Sequence, residues 1–186
     1  LIELNQIMPL GDAVEFTVLE PSPAAAQSYA ERIVQVFEQS DATRREVMLQ
    51  ELDRDSNDSS IVLKISGYGK SCILTADNCP SNWREETFLS VQNGNVLKLP
   101  HHGQSDAVND TLLNHIGAQY VVTCSSGDRR NASSHPDVYQ QIMAVDPGVT
   151  FLFTDESCYP PFFNVQRTHP DSITCIIGNK SIGVEL

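Results

Sequence analysis

The most informative stretch of this chain is Asn95-Val-Leu-Lys-Leu-Pro-His101-His102-Gly103. Its first five residues predict a short buried strand, and the residues after them predict a turn. Pro100 ends the strand because it has no N–H to donate, and Gly103 permits a sharp turn because it has no Cβ atom. The stretch therefore places His101 and His102 at the carboxyl end of a strand, where α/β proteins place metal ligands and proton carriers. A solvated pair of loop histidines is the alternative interpretation.

A second apolar run upstream, Ser71-Cys-Ile-Leu-Thr-Ala-Asp77, ends on a carboxylate. Strands and helices alternate along the rest of the chain, so we predict an α/β fold with helices on at least one face of the sheet. The predicted strands are 1–7, 13–19, 59–66, 71–76, 95–99, 120–124, 149–153, 173–177 and 182–186. The predicted helices are 83–91, 106–116, 136–145 and two in the segment 24–52.

The helical segment 24–52 is predicted to be an insertion between sheet strands within a single domain portion that spans residues 1–186. Tyr29, Ile33 and Phe37 recur every four residues and form one apolar stripe. We expect this stripe to pack against the sheet or a partner surface rather than face solvent.

Composition limits the functions that the chain can have. Of its 186 residues, 40% are hydrophobic and 19% are charged, as in globular proteins. The net charge of −12 disfavours a broad surface that grips nucleic acid without metal ions. No apolar run is long enough to span a bilayer, so we expect no membrane partner. Cys72, Cys124 and Cys175 lie in apolar runs, which favours reduced core thiols and a cytoplasmic location.

Four segments, in this order, resemble the metallo-β-lactamase domain of the ComEC competence family. They are Asn57-Asp-Ser-Ser-Ile-Val-Leu-Lys-Ile, Ile-Leu-Thr-Ala-Asp77, Val-Leu-Lys-Leu-Pro-His101-His102-Gly103 and Asn131-Ala-Ser-Ser-His135-Pro136. The resemblance runs from about residue 11 to the end, and its specific part covers 57–136. It implies an αββα sandwich with a dinuclear metal site at one edge of the two packed sheets.

The resemblance also implies roles for particular residues. Asp77 would bridge two metal ions, expected to be zinc with manganese as the other option, and His102 would be a further ligand. His101 and His135 would be catalytic, as contacts to the substrate or as a proton donor. Either imidazole of the pair can face the metal on this reasoning. Asp77 can instead cap the helix after Trp83, and His135 can cap the helix that follows it.

The chain departs from the family pattern in three places. Ala76 stands where the family has glycine, Gln104 separates Gly103 from Ser105, and no His-x-His-x-Asp-His motif is present. We therefore expect this chain to be the second half of such a domain, whose first half is cleaved off, separate or outside this chain. A Gly-x-Ser-x-Gly elbow, which would indicate a serine hydrolase, is also absent.

Two functions are compatible with these features. The first is a metal-dependent hydrolase acting on a phosphodiester or related ester. The second is a non-catalytic or degenerate half-domain that serves as a scaffold or binding module. In both cases we expect the isolated chain to be inactive and to bind a partner, either the first half of the domain or a second chain.

Overall fold

A computed structural model of the chain describes residues 7–10, 12–124, 134–154, 174–177 and 182–185. Its strands are β1 (Ile7–Leu10), β2 (Val14–Glu20), β3 (Val62–Gly67), β4 (Lys70–Leu74), β5 (Val96–Lys98), β6 (Tyr120–Thr123), β7 (Thr150–Phe153), β8 (Thr174–Ile177) and β9 (Ile182–Glu185). Its α-helices are α1 (Pro23–Glu38), α2 (Ala42–Arg54), α3 (Glu85–Gln92), α4 (Asp110–His115) and α5 (Pro136–Val145). Short 3-10 turns occupy Asn57–Ser59, Pro80–Asn82 and Pro100–Gly103.

Seven strands form one mixed sheet in the order β1-β2-β3-β4-β5-β6-β7, and β8 pairs with β9 separately. Neighbours from β1 to β4 are antiparallel, and neighbours from β4 to β7 are parallel. Each parallel crossover contains one helix, α3, α4 or α5. This confirms the predicted α/β class. Because parallel strands point the same way, the carboxyl ends of β4 to β7 meet along one edge of the sheet.

The main core lies between the sheet and helices α3 to α5. Right-handed crossovers that advance in one direction place all three helices on the same face. The strand residues facing them alternate with those facing away, as a pleated strand requires. The largest fully buried side chains of the described residues belong mainly to this layer: Tyr139, Ile73, Leu97, Leu99, Leu112 and Ile142.

The opposite face of the parallel strands carries a second apolar cluster. Its buried members are Cys72, Val96, Val122 and Leu152. Among the described residues, strands and strand ends alone contribute to this cluster, and no helix does. A cavity of about 280 Å³ lies on the same face, lined mainly by apolar groups together with Lys98 and Cys124. The two faces of the sheet are therefore both apolar but are covered differently.

Two element boundaries differ from the prediction for identifiable reasons. The helix predicted from residue 106 begins instead at Asp110, because the Asn109 side chain accepts a hydrogen bond from Leu112 N at 2.8 Å and caps it. The first predicted strand ends at residue 7, but β1, an edge strand of the sheet, continues to Leu10 and contains Pro9. Edge strands tolerate proline because one side of the ladder needs no donor.

The helices α1 and α2 fill the predicted segment 24–52, but the buried face of α1 is not the predicted stripe. Ile33 is 37% exposed and Phe37 is 82% exposed, so neither packs against the sheet, and their contact with a partner surface stays a prediction. The buried residue of α1 is Val36, and the half-buried Tyr29 donates its hydroxyl to the Leu52 carbonyl at 3.2 Å. Positions 29 and 36 are two helical turns apart, so they share a face as readily as 29 and 37 do.

No helix in the described ranges combines the length and the apolar character needed to cross a bilayer.

Candidate metal centre

Asp77 and the His101-His102 pair meet because they follow neighbouring parallel strands. The pairing of β4 with β5 brings Cys72 opposite Val96, so both strands end at the same edge. Two hydrogen bonds hold these ends together beyond the strands. Thr75 Oγ1 donates to the Lys98 carbonyl at 2.8 Å, and the His101 N–H donates to the Ala76 carbonyl at 3.2 Å.

His102 is the imidazole that faces Asp77. Its Nε2 lies 3.3 Å from Asp77 Oδ1, and its Nδ1 donates a hydrogen bond to the Cys124 carbonyl. A carbonyl oxygen accepts hydrogen bonds only, so Nδ1 carries the proton and Nε2 of the neutral ring is an acceptor. Two acceptors therefore face each other, and a proton or a cation between them would make this arrangement favourable.

This pair fits a zinc-type ion. Two nitrogen or oxygen ligands about 2.1 Å from a tetrahedral ion lie roughly 3.4 Å from each other, and the observed separation is 3.3 Å. A backbone carbonyl that holds the far nitrogen of a ligating histidine is a common second partner in such sites. The pair supplies two ligands, fewer than the three or four protein ligands that zinc sites contain.

His135 reaches the same edge through its backbone. Ser134 N donates to the His102 carbonyl at 3.2 Å, and His135 N donates to the Gly103 carbonyl at 2.8 Å. The imidazole of His135 caps α5, with Nδ1 accepting from Asp137 N at 3.4 Å. The structure thus shows the capping interaction, and a catalytic role for this half-exposed side chain stays a prediction. Of the Asn131 to Pro136 motif, residues 131–133 lie outside the described ranges.

Backbone strain concentrates at this edge. Four residues other than glycine adopt left-handed conformations here: Ala76 (φ 46°), His101 (φ 44°), His102 (φ 56°) and Ser134 (φ 58°). Such conformations cost about 1–3 kcal/mol each and cluster at functional sites, where the surrounding structure enforces them. Consecutive left-handed residues also send the two imidazoles to different partners.

His101 contacts a separate group of side chains. Its Nδ1 lies 3.1 Å from both carboxylate oxygens of Asp106 and 3.7 Å from Cys79 Sγ. Its Nε2 lies 3.2 Å from Asn57 Nδ2. Sequence reasoning missed Cys79, Asp106 and Asn57. The nearest signal for Cys79 and Asp106 was that they follow Asp77 and His102 by a few residues. Asn57 begins the first of the four segments that resemble the family, but no role was predicted for it.

The environment of Cys79 keeps its thiol neutral. Burial raises the pKa of Cys79 to about 12, and the nearby Asp106 carboxylate adds to this rise in pKa. A nucleophilic cysteine needs a lowered pKa, so Cys79 lacks the property that would make it one in the metal-free protein.

Lys98 supplies a positive charge beside this edge. Its Nζ donates to the Ala76 carbonyl at 2.7 Å and to the Leu99 carbonyl at 3.1 Å. Burial lowers the pKa of Lys98, while the charge of Asp77 opposes that shift. The ammonium group therefore ties the ends of β4 and β5 together next to the Asp77 carboxylate.

Other residues considered from the sequence are placed elsewhere. The carboxylate that accepts a hydrogen bond at the start of α3 belongs to Glu20, which bonds to Arg84 N at 2.9 Å. Asp77 is therefore not the cap of that helix. His115 bonds to the Thr111 carbonyl within α4, and His169 lies outside the described residues. A larger cavity of about 520 Å³ lies around the hairpin at residues 67–70, and no histidine of the described ranges lines it.

A scan against protein-family models found no match to this chain, and a search of curated proteins found none either.

Proposed function

We propose that this chain contributes part of the metal site of a metallo-β-lactamase-like hydrolase that acts on a phosphodiester or related ester. The observation that carries the proposal is the 3.3 Å contact between His102 Nε2 and Asp77 Oδ1. Both atoms are acceptors when the His102 ring is neutral, and a divalent cation, like a proton on Nε2, satisfies both at once. The strained residues around them support a functional rather than a purely structural turn.

The organisation of the sheet supports the sandwich part of the proposal. In an αββα sandwich, each sheet has helices on one face and a second sheet on the other. Helices α3 to α5 cover one face here, and the other face carries an apolar cluster built from strands. That second face is the one on which a partner sheet would pack.

The roles that we propose for the chain's own residues follow from their positions. Asp77 and His102 would hold metal, with Cys124 orienting His102 through its carbonyl. Two zinc ions, or manganese in their place, would supply Lewis-acid activation of water and stabilise charge on phosphate oxygens. His135 would give a proton to the leaving oxygen once its imidazole leaves the helix cap. The predicted catalytic role of His101 stays a prediction; its imidazole contacts Asp106 and Asn57 in the structure.

We propose that the isolated chain is inactive because its ligand set is incomplete. The sequence contains no His-x-His-x-Asp-His motif, which supplies most ligands in the family that the chain resembles. A segment carrying that motif, either the first half of the domain or a second chain, would complete the site and cover the second face of the sheet.

The test combines metal analysis with hydrolysis of bis-p-nitrophenyl phosphate. We expect no turnover from the isolated chain and turnover after mixing with a segment that carries the His-x-His-x-Asp-His motif. Asp77→Asn should abolish that turnover, whereas Asp110→Asn, an exposed change at the start of α4, should not. Two tightly bound metals and turnover from the isolated chain would refute the incomplete site. Tight association without turnover would favour the second function below.

The second candidate function is a non-catalytic half-domain that serves as a scaffold or binding module. Two observations favour it: the His135 imidazole is already used as a helix cap, and the Asp77–His102 pair supplies two ligands. A scaffold would bind its partner equally well when Asp77 is replaced by asparagine, and the mixture would show no hydrolysis.

A further inference from the structure

Two side chains, Cys79 from the β4–α3 loop and Asp106 from the β5–α4 loop that also carries His101, converge on one nitrogen of His101. Cys79 follows β4, His101 follows β5, and Asp106 precedes α4. Their ligand atoms all lie within 4.8 Å of one another. Cys79 is buried, His101 is half-buried and the Asp106 side chain is 54% exposed, so the group is open to solvent on one side.

The distances match those between ligands of one ion. A sulfur about 2.3 Å and a nitrogen about 2.1 Å from a tetrahedral zinc ion lie roughly 3.6 Å apart, and Cys79 Sγ lies 3.7 Å from His101 Nδ1. Asp106 lies 3.1 Å from the same Nδ1. Small movements of the exposed carboxylate would complete a shell with one position left for water.

The arrangement is not that of a nucleophilic triad. In a triad, the nucleophile and the carboxylate contact opposite nitrogens of the histidine, so that one nitrogen accepts the proton while the other is held. Here the thiol and the carboxylate both approach Nδ1. Three ligands of one cation must bring their donor atoms close together, as Cys79, His101 and Asp106 do here.

Asn57 lies where an outer partner of a ligating histidine is found. Its side-chain amide contacts His101 Nε2 at 3.2 Å. The amide oxygen and nitrogen of Asn57 can exchange places by rotation, so the same residue can donate a hydrogen bond to Nε2 or accept one from the Nε2–H group. It can therefore hold His101 as the tautomer whose Nδ1 is free to bind an ion.

We propose that Cys79, His101 and Asp106 bind one zinc-class ion, beside and separate from the Asp77–His102 pair. Sulfur and nitrogen ligands select borderline or soft ions and disfavour magnesium and calcium, which require oxygen. One thiolate and one carboxylate balance the two positive charges of the ion. Binding releases the thiol proton of Cys79 to solvent, and the proton of His101 Nδ1 moves to Nε2 by exchange with solvent. The proposal is independent of any hydrolase activity.

The test is a titration of the metal-free 186-residue chain with Co²⁺, followed by displacement with Zn²⁺. A Co²⁺ ion bound by a thiolate gives a ligand-to-metal charge-transfer band in the near ultraviolet. We expect one such ion per chain. Cys79→Ser should abolish the band. Asp106→Asn should weaken binding by more than about 10-fold, since even outer partners of ligands contribute about 10–100-fold. Asn57→Ala should weaken Co²⁺ binding by about 10–100-fold.

Two variants serve as controls. Cys124→Ser changes a half-buried thiol of the other face and should keep the band, and Asp77→Asn should keep it too. Absence of the band at excess Co²⁺ would overturn the proposal, as would a band that survives Cys79→Ser. A band lost in Asp77→Asn but kept in Asp106→Asn would also overturn it and assign the ion to the Asp77–His102 pair. If Cys79→Ser does not fold by circular dichroism, the exposed Asp106→Asn variant decides.

Discussion

His102 is held at one ring nitrogen and faces a carboxylate with the other. Its Nδ1 donates to a carbonyl, so the neutral ring presents an acceptor to the Asp77 carboxylate 3.3 Å away. Facing acceptors are unfavourable unless a proton or cation lies between them. A proton on His102 Nε2 or a cation between the two atoms would remove that conflict.

We expect Asp77→Asn to leave the stability of the metal-free protein unchanged or to raise it by up to about 1 kcal/mol. The amide of asparagine can donate to His102 Nε2 and replace the facing acceptors with a hydrogen bond. Urea unfolding in the presence of a chelator measures this, with Asp110→Asn as the control. A loss of more than about 1 kcal/mol in the variant would contradict the acceptor assignment.

Gly103 is required by space as well as by backbone conformation. It has φ +73°, and a Cβ atom there would lie 2.6 Å from the Tyr139 hydroxyl, which bonds to Thr123 at 2.7 Å. We expect Gly103→Ala to lower the free energy of unfolding by about 3 kcal/mol, from conformational strain and overpacking together.

Gly69→Ala is the matched control for that change. Gly69 has φ +72°, and no atom of the described residues lies within 4 Å of the point that a Cβ atom would occupy. Alanine there should therefore cost about 1 kcal/mol from conformation alone. The difference between the two variants in denaturant unfolding isolates the contact with Tyr139. Equal losses at both positions would show that α5 does not press against the His-His-Gly turn.

Cys79 predicts a pH dependence of stability in the metal-free protein. Its pKa is raised from 9.0 to about 12 in the folded state. The folded protein therefore holds the thiol proton more tightly, so this contribution to stability is present below pH 9 and is lost as pH rises toward 12. By about pH 10 we expect a loss of roughly 1 kcal/mol from this thiol.

Unfolding measured between about pH 8 and 10 with a chelator checks this. Cys79→Ala should flatten the decline more than Cys124→Ala does, because burial also raises the pKa of Cys124 but by less. An undiminished decline in Cys79→Ala would assign the effect to other groups.

Between secondary-structure elements, Glu20 joins the antiparallel part of the sheet to α3. Its side chain is 3% exposed and accepts from Arg84 N at 2.9 Å, from Arg84 Nε at 3.2 Å and from Thr87 Oγ1 at 2.7 Å. Glu20 is the last residue of β2. It accepts the hydrogen bonds at the start of α3, where the N-cap residue Arg84 makes no side-chain cap of its own.

We expect Glu20→Gln to destabilise the protein by about 2–3 kcal/mol, because a buried acceptor of a charged group is replaced by an amide that satisfies fewer donors. Thermal and denaturant unfolding measure the change. Glu15→Gln, on the exposed part of the same strand, should alter stability by less than about 0.5 kcal/mol. Comparable losses of stability in the two variants would show that Glu20 does not link β2 to α3.

Across the whole molecule, the sheet is apolar on two faces but has helices α3 to α5 on one of them. Helix α1 packs against α2, and the salt bridge between Arg32 and Asp55, at 2.9 Å, ties α1 to the chain just before Asn57. The net charge of −12 and the acidic groups near His101 suit cations rather than polyanions.

The sequence determined the features that depend on local patterns. Alternating apolar residues located most strands, Pro136 located the start of α5 to the residue, and the polar ends of β4 and β5 identified the candidate functional edge. Predictions of this kind succeed because pleating, capping and the missing N–H of proline act over a few residues. The predicted start of α4 is wrong because Asn109, rather than an earlier residue, supplies the cap.

Tertiary structure decided what depends on residues far apart in the chain. Left-handed backbone at His101 and His102 assigns one imidazole to Asp77 and the other to Cys79 and Asp106, and no periodicity records that choice. Asn57 reaches His101 across 44 residues, and the buried face of α1 follows its contacts with α2. Ligand distances arise from the closure of several loops on one sheet edge, and the free energy of that closure is a property of the whole fold rather than of any segment.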